Sequence, residues 1–123
     1  MSDNGIDDIL DECHSTGLFL QEPPLTVNDT DIFDDTPLHL VTGWGDVEAV
    51  AKLVAAGAKV NARGDKGMTP LFYATSIKVA DLLLTAGVDP TVISELGGTA
   101  EKFLRNIGYG EVADYIAARA TRT

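Results

Sequence analysis

The tetrapeptide Thr36-Pro37-Leu38-His39 returns 33 residues later as Thr69-Pro70-Leu71-Phe72, and Val60-Asn61 follows Val27-Asn28 at the same distance. A fixed period of this length means that one supersecondary unit recurs, too small to bury its apolar face alone, so the units must stack. Function is then expected on the stacked surface. Each period opens with residues that suit a helix entry: Thr36 and Thr69 are good N-caps, and Pro37 and Pro70 stand where a helix loses nothing by lacking an N–H. Val47, Val50, Leu53 and Val54 recur at i, i+3, i+6 and i+7, an apolar stripe on a second helix that ends at Gly57, a residue suited to left-handed backbone.

This period, opening on Thr-Pro-Leu-His, resembles the ankyrin repeat, a β-turn followed by two antiparallel helices. The unit through Asp35, Thr36-Pro37-Leu38-His39-Leu40, Gly45-Asp46-Val47-Glu48, Lys52-Leu53-Val54, Gly57-Ala58 and Val60-Asn61 is close to the family pattern. A second unit keeps Gly67, Thr69-Pro70-Leu71, Ala74, Leu82-Leu83-Leu84, Gly87 and Asp89. Its Thr69 to Gly87 spans 18 residues where Thr36 to Gly57 spans 21, so three residues are missing from the inter-helix turn. In a third, Thr99-Ala100 replaces Thr-Pro, followed by Gly108, Glu111-Val112 and Tyr115-Ile116, with Ala, Arg and Lys at outward positions, as in a capping unit.

The resemblance implies an all-α repeat fold, an α-solenoid of helix-turn-helix units with projecting β-turn fingers and degenerate capping units at both ends. It divides a single domain into a leading unit with an insertion (1–34), a full repeat (35–66), a shortened repeat (67–96) and a capping repeat (97–119). Helix pairs are expected near 37–43 and 47–56, 70–75 and 77–85, and 99–106 and 110–119. The fingers fall at 28–36, 61–69 and 91–99, and residues 120–123 are expected to fray.

Ahead of these units, Ile6, Ile9, Leu10 and Cys13 share one helical face, Asp3 or Asn4 can cap its start, and Gly17 follows its last turn. Ten residues separate Gly17 from Val27, where three separate Gly57 from Val60. The excess, with Phe19, Leu20 and the extended-favouring Pro23-Pro24, is expected to bulge from the stack. It serves as a lid over the amino-terminal end of the core, the favoured reading, or as an extra contact surface.

At 123 residues and 45% apolar composition the chain is one globular domain. It contains no apolar run of about 18 residues, and its first residues are acidic where a secretory signal is basic and then apolar. A cytoplasmic location is expected. The lone Cys13 cannot form an internal disulfide or a multi-cysteine zinc site, and its place on the apolar face predicts burial.

The net charge of −10 is unevenly spread: residues 1–51 hold twelve carboxylates and no Lys or Arg, and all nine basic residues lie from Lys52 onward beside seven acids. Such a field disfavours nucleic acid and anionic membranes and attracts a basic partner, unless it serves solubility alone.

No catalytic constellation emerges. The resemblance implies for His39 a structural hydrogen bond tying turn to helix, and His14 near a helix end suits the helix dipole. The acids of Asp29-Thr30-Asp31-Ile32-Phe33-Asp34-Asp35 alternate as in a calcium loop but lack its glycine and its bidentate glutamate. No phosphate loop, dinucleotide fingerprint or zinc pair is present, and Gly43-Trp44-Gly45 is an inter-helix turn. A non-enzyme without metal or cofactor is expected.

What remains is a surface. In ankyrin repeats the finger tips and first-helix ends contact partners, which here implicates Ile32, Phe33, Asp35, Gly43 and Trp44, then Asp65, Lys66, Met68, Thr75 and Ser76, then Glu95, Leu96, Gly98, Asn106 and Ile107, while the charge of the chain adds Asp31, Asp34 and Asp35 as partners for basic residues. Phe33, Trp44 and Met68 suit a contact surface, Trp44 otherwise folding back onto its neighbour as core. The chain is expected to be a protein-binding module, a monomer when free. Its most concrete form resembles a bacterial ankyrin immunity protein, whose acidic and aromatic concave face holds a basic toxin such as one that acts on nucleic acids; the alternative is an adaptor for an endogenous complex.

Overall fold

The computed structural model describes residues 5–120, and among them the chain forms six α-helices and no β-strand. They are α1 (Ile6–His14), α2 (Pro37–Trp44), α3 (Val47–Ala55), α4 (Ile77–Thr85), α5 (Ala100–Asn106) and α6 (Gly110–Ala120), with a 3₁₀ turn at Pro70–Tyr73 between α3 and α4. They stack in two layers: α2, the 3₁₀ turn and α5 pack as one row, and α1, α3, α4 and α6 as the other. This is the all-α repeat fold that the resemblance implied. The core runs unbroken between the rows through Leu38, Val41, Val50, Leu53, Leu71, Phe72, Val79, Leu83, Leu104 and Ile116, all buried.

Local chemistry sets each helix entry. Thr36 Oγ1 accepts the His39 N–H while His39 Nδ1 accepts the Thr36 N–H (3.0 Å), a reciprocal cap that starts α2. Asp46 caps α3 through the Ala49 N–H (3.0 Å), Ser76 caps α4 through Val79 (3.2 Å) and Thr99 caps α5 through Lys102 (3.3 Å). Thr69 departs from the expected pattern. With three residues missing, Pro70–Tyr73 makes one 3₁₀ turn instead of a helix over 70–75, and Phe72, where the first unit has His39, has no acceptor to offer. Thr69 therefore caps nothing, and its Oγ1 is buried without a hydrogen bond. Asp3 and Asn4, expected to cap α1, lie outside the described residues; the preceding residue Gly5 has left-handed backbone and no capping side chain.

Adjacent units are stitched by two asparagines one period apart. Asn28 accepts the Lys59 N–H (3.0 Å) and donates to the Gly57 carbonyl (3.3 Å), and Asn61 repeats this on Asp89 N–H (2.7 Å) and the Gly87 carbonyl (3.2 Å). In the insertion, Phe19 and Leu25 are buried in the core while Leu20 stands exposed between them. The segment bends at Pro23-Pro24, whose peptide is cis, and does not run straight on. At the far end α6 turns Glu111, Asp114 and Ala118 outward, and Arg119 pairs with Asp81 of α4, whose carboxylate also accepts the Tyr115 hydroxyl (2.7 Å).

Candidate protein-binding edge

Three fingers project from one edge, each closed by the same backbone bond. The N–H of Asp31 donates to the Asp35 carbonyl (2.8 Å), that of Gly64 to Met68 (2.7 Å) and that of Ser94 to Gly98 (3.0 Å). The spacing is 33 residues and then 30, the second shortened by the missing three. Neighbouring fingers are also tied together: the Glu95 N–H donates to the Lys66 carbonyl (2.8 Å), and Arg63 reaches from the second finger to the Ile93 carbonyl of the third (2.6 Å). The edge is thus a laced platform rather than three loose loops.

The first finger explains why several acids expected at its surface are inside. Asp31 is 6% exposed because its Oδ1 accepts the N–H of Phe33 (2.8 Å) and Asp35 (3.0 Å), closing the turn from within. Asp35 is 9% exposed because it leans into the second finger, where its Oδ1 accepts the Asp65 N–H (2.9 Å) and its carboxylate meets the Tyr73 hydroxyl (3.3 and 3.4 Å). Gly64 leaves room for this carboxylate. A Cβ there would lie 2.1 Å from Asp35 Oδ1. Gly64 occupies the place of Asp31 in the first finger and Ser94 in the third, whose hydroxyl accepts the Leu96 N–H (3.0 Å). The second finger lacks its own capping side chain and borrows Asp35.

Beneath lies His39, fully buried, its Nε2–H donating to the Met68 carbonyl (2.9 Å). Because Nδ1 accepts the Thr36 N–H, the ring is neutral with its proton on Nε2. Burial holds its pKa below the ordinary histidine value, and burial pushes the Asp35 carboxyl above the usual carboxylate range against the pull of the Asp65 N–H. Tyr73 is raised by burial and by Asp35. These groups serve hydrogen bonds between units, and the tie of turn to helix expected of His39 is its Nδ1 bond to the Thr36 N–H. Burial, with Glu12 adding to it, pushes the Cys13 thiol up to about 12, so the sulfur is inert packing. His14 Nε2–H donates to the Gln21 carbonyl (3.2 Å), holding the insertion to α1. Among the described residues no three His, Cys, Asp or Glu side chains gather as metal ligands, and no helix is long and apolar enough to cross a membrane.

The structure therefore sorts the candidate contact residues. Ile32, Phe33 (50% exposed), Asp34, Lys66, Glu95 and Leu96 stand at the finger tips, and Trp44 (46% exposed) projects from the end of α2 and does not fold into the core. Asp65 is half-buried beside Asp35, and Ser76 is engaged in capping α4. Asp31, Asp35 and Met68 leave the set: the acids cap turns, and Met68, at 5% exposure, packs in the core under the second finger. Ile93, Ile77, Tyr109 and Leu20 are exposed and were not in it. For Ile93 a signal was available, since it precedes the finger residue aligned with Asp31 and Gly64; for Ile77 and Tyr109 none was.

Residues 8–94 match the family model described as ankyrin repeats (3 copies). An ankyrin repeat-containing protein of Schizosaccharomyces pombe is 31% identical over 83 residues, covering 66% of this chain and 40% of that protein. An ankyrin repeat and LEM domain-containing protein 1 homolog of Caenorhabditis elegans is 46% identical over 57 residues, 44% of this chain and 8% of its own length. Human Rabankyrin-5 is 49% identical over 41 residues, 33% of this chain and 4% of its own. The chain thus spans less than half the length of these relatives, all from eukaryotes. A family match over most of the chain, on units whose caps, fingers and asparagine clamps repeat in space as they do in sequence, shows that the chain belongs to the ankyrin-repeat family of protein–protein interaction modules.

Proposed function

We propose that this chain binds a basic protein partner, without catalysis, through the edge formed by its finger tips and the exposed end of α2. The observation that carries this reading is the laced finger platform, which holds Ile32, Phe33 and Leu96 in solvent on a chain whose first 51 residues bear twelve carboxylates and no Lys or Arg. A rigid apolar anchor loses little conformational entropy on binding, and a one-signed field raises the encounter rate with an oppositely charged surface. Neutralising a basic toxin and tethering an endogenous protein are both served by such a surface. The eukaryotic relatives lend the toxin reading and its bacterial setting no support, and the tether is the form favoured here. A free monomer in the cytoplasm, divided at residues 34, 66 and 96, completes the proposal.

The test is the association rate with a purified partner, measured from about 50 to 500 mM salt, a range over which the screening length falls severalfold. A steep fall in rate with salt, lessened by changing Glu22, Asp29 and Asp34 together to their amides, supports the proposal. A rate indifferent to salt overturns it.

A further inference from the structure

The insertion and the first finger are one surface. The Ile32 N–H donates to the Leu18 carbonyl (3.0 Å), and the Gln21 side-chain amide donates to the Thr30 carbonyl (2.9 Å), so residues 18–21 lie laced along 30–32. Leu20, 81% exposed, thus lies on the segment bonded to the one that carries the exposed tip residues Ile32 and Phe33. Leu20 is not a loose loop residue. Buried Phe19 and Leu25 pin the insertion on both sides of it, and Asp31 fixes the Phe33 backbone from below (2.8 Å). An apolar side chain held this far into water by buried neighbours gains free energy only when something covers it.

Charge says what covers it. Glu22, Asp29 and Asp34 belong to the same two segments, and the first Lys or Arg in the chain is Lys52. In the second finger, Arg63 is turned away to the Gly67 and Ile93 carbonyls. A second copy of this chain would bring two carboxylate rims together, which like-charge repulsion opposes. We propose that Leu20, Ile32 and Phe33 form one docking patch, assembled jointly by the insertion and the first finger, that seats an apolar side chain flanked by Lys or Arg in a protein partner. This rests on the basic-partner reading above and adds to it the site and the form of the partner segment.

The test is nuclear magnetic resonance titration of the isotope-labelled full chain with three synthetic peptides of equal length, alternating Lys/Leu, Lys/Ser and Glu/Leu. The Lys/Leu peptide is expected to shift amide signals at 18–22 and 30–34 saturably and to bind more tightly than Lys/Ser. Leu20→Ser is expected to weaken its binding about tenfold, the loss of one well-covered apolar contact, with the melting temperature nearly unchanged because the Leu20 side chain stands in solvent. An unchanged affinity in Leu20→Ser, shifts centred on Trp44, or self-association through the patch overturns the docking site and leaves the basic-partner reading standing. Equal binding of Glu/Leu and Lys/Leu peptides overturns both.

Discussion

Replacing Gly64 with alanine perturbs the seam between the first two units at one atom. The added methyl would sit 2.1 Å from Asp35 Oδ1, 3.0 Å from His39 Nε2 and 3.2 Å from the Asp34 carbonyl. The backbone there is held by the Gly64 N–H bond to Met68 (2.7 Å), so the Asp35 side chain is what must move. Moving it breaks its bond to the Asp65 N–H and its contact with the Tyr73 hydroxyl, and leaves a partly buried carboxylate under-solvated. A hydrogen bond to a charged group contributes about 1.5–3 kcal/mol and the stranded group adds to that, giving an expected loss of about 2–4 kcal/mol. For a domain of this size that is a fall of about 8–16 °C in melting temperature, read by circular dichroism with urea unfolding alongside. The severe clash is with Asp35, so Asp35→Ala should cost much less in the Gly64→Ala background than in the parent, a coupling of at least about 1 kcal/mol. Gly43→Ala is the control: its Cβ meets only Tyr73 Cβ at 4.0 Å, so the helical substitution should be neutral or stabilise by up to about 1 kcal/mol. A Gly64→Ala protein melting within about 2 °C of the parent, or strict additivity with Asp35→Ala, would refute the borrowed cap.

His39 stays neutral in the folded chain while the unfolded chain takes up a proton near the ordinary pKa, so the unfolded state binds more protons and stability should fall as pH drops from about 7 to 5.5. Asp35, shifted the other way, retains its proton more readily when folded, a contribution present at low pH and lost as pH rises, so it offsets part of that fall toward the acid end. His39→Asn, though less stable throughout, should lose most of the slope over this window; an unchanged slope in urea unfolding counts against the assignment. Phe33→Ala and Trp44→Ala should each leave the melting temperature nearly unchanged and weaken a partner complex at least about 30-fold, since neither ring is core. A large drop in melting temperature with intact binding reverses that. Truncation before Thr99 removes Leu104, Ala113 and Ile116 from the core they share with Phe72, Val79 and Leu83 and should give an aggregating or unfolded chain, whereas a cooperatively melting fragment 1–98 contradicts the shared core.

What was legible before the structure is what one residue type enforces locally. Thr36 with His39, Pro37 at a helix start and Gly57 at a helix end each match one backbone geometry, so the period in letters became a period in space. Thr69 shows the limit: the same residue caps nothing because residues missing further along the chain leave only a 3₁₀ turn behind it. Acid side chains read as surface by composition, but Asp31 and Asp35 each spend Oδ1 on backbone N–H groups, within and between fingers. That role was written faintly in the register of the repeat, where Gly64 stands in line with Asp31 and Ser94. The pairing of Leu20 with the first finger depends on two bonds across an insertion outside the period, and nothing in the residue types announces it.

The finger edge, and not the row of α1, α3, α4 and α6, is expected to meet the partner. Hydrogen exchange by mass spectrometry on the chain alone and in complex with its purified partner tests this directly, because covered backbone amides slow their exchange. Protection concentrated in residues 18–22, 30–34, 64–67 and 93–97 is the predicted result. Protection confined to the outward faces of α3, α4 and α6, with the finger peptides exchanging as in the free chain, would contradict it.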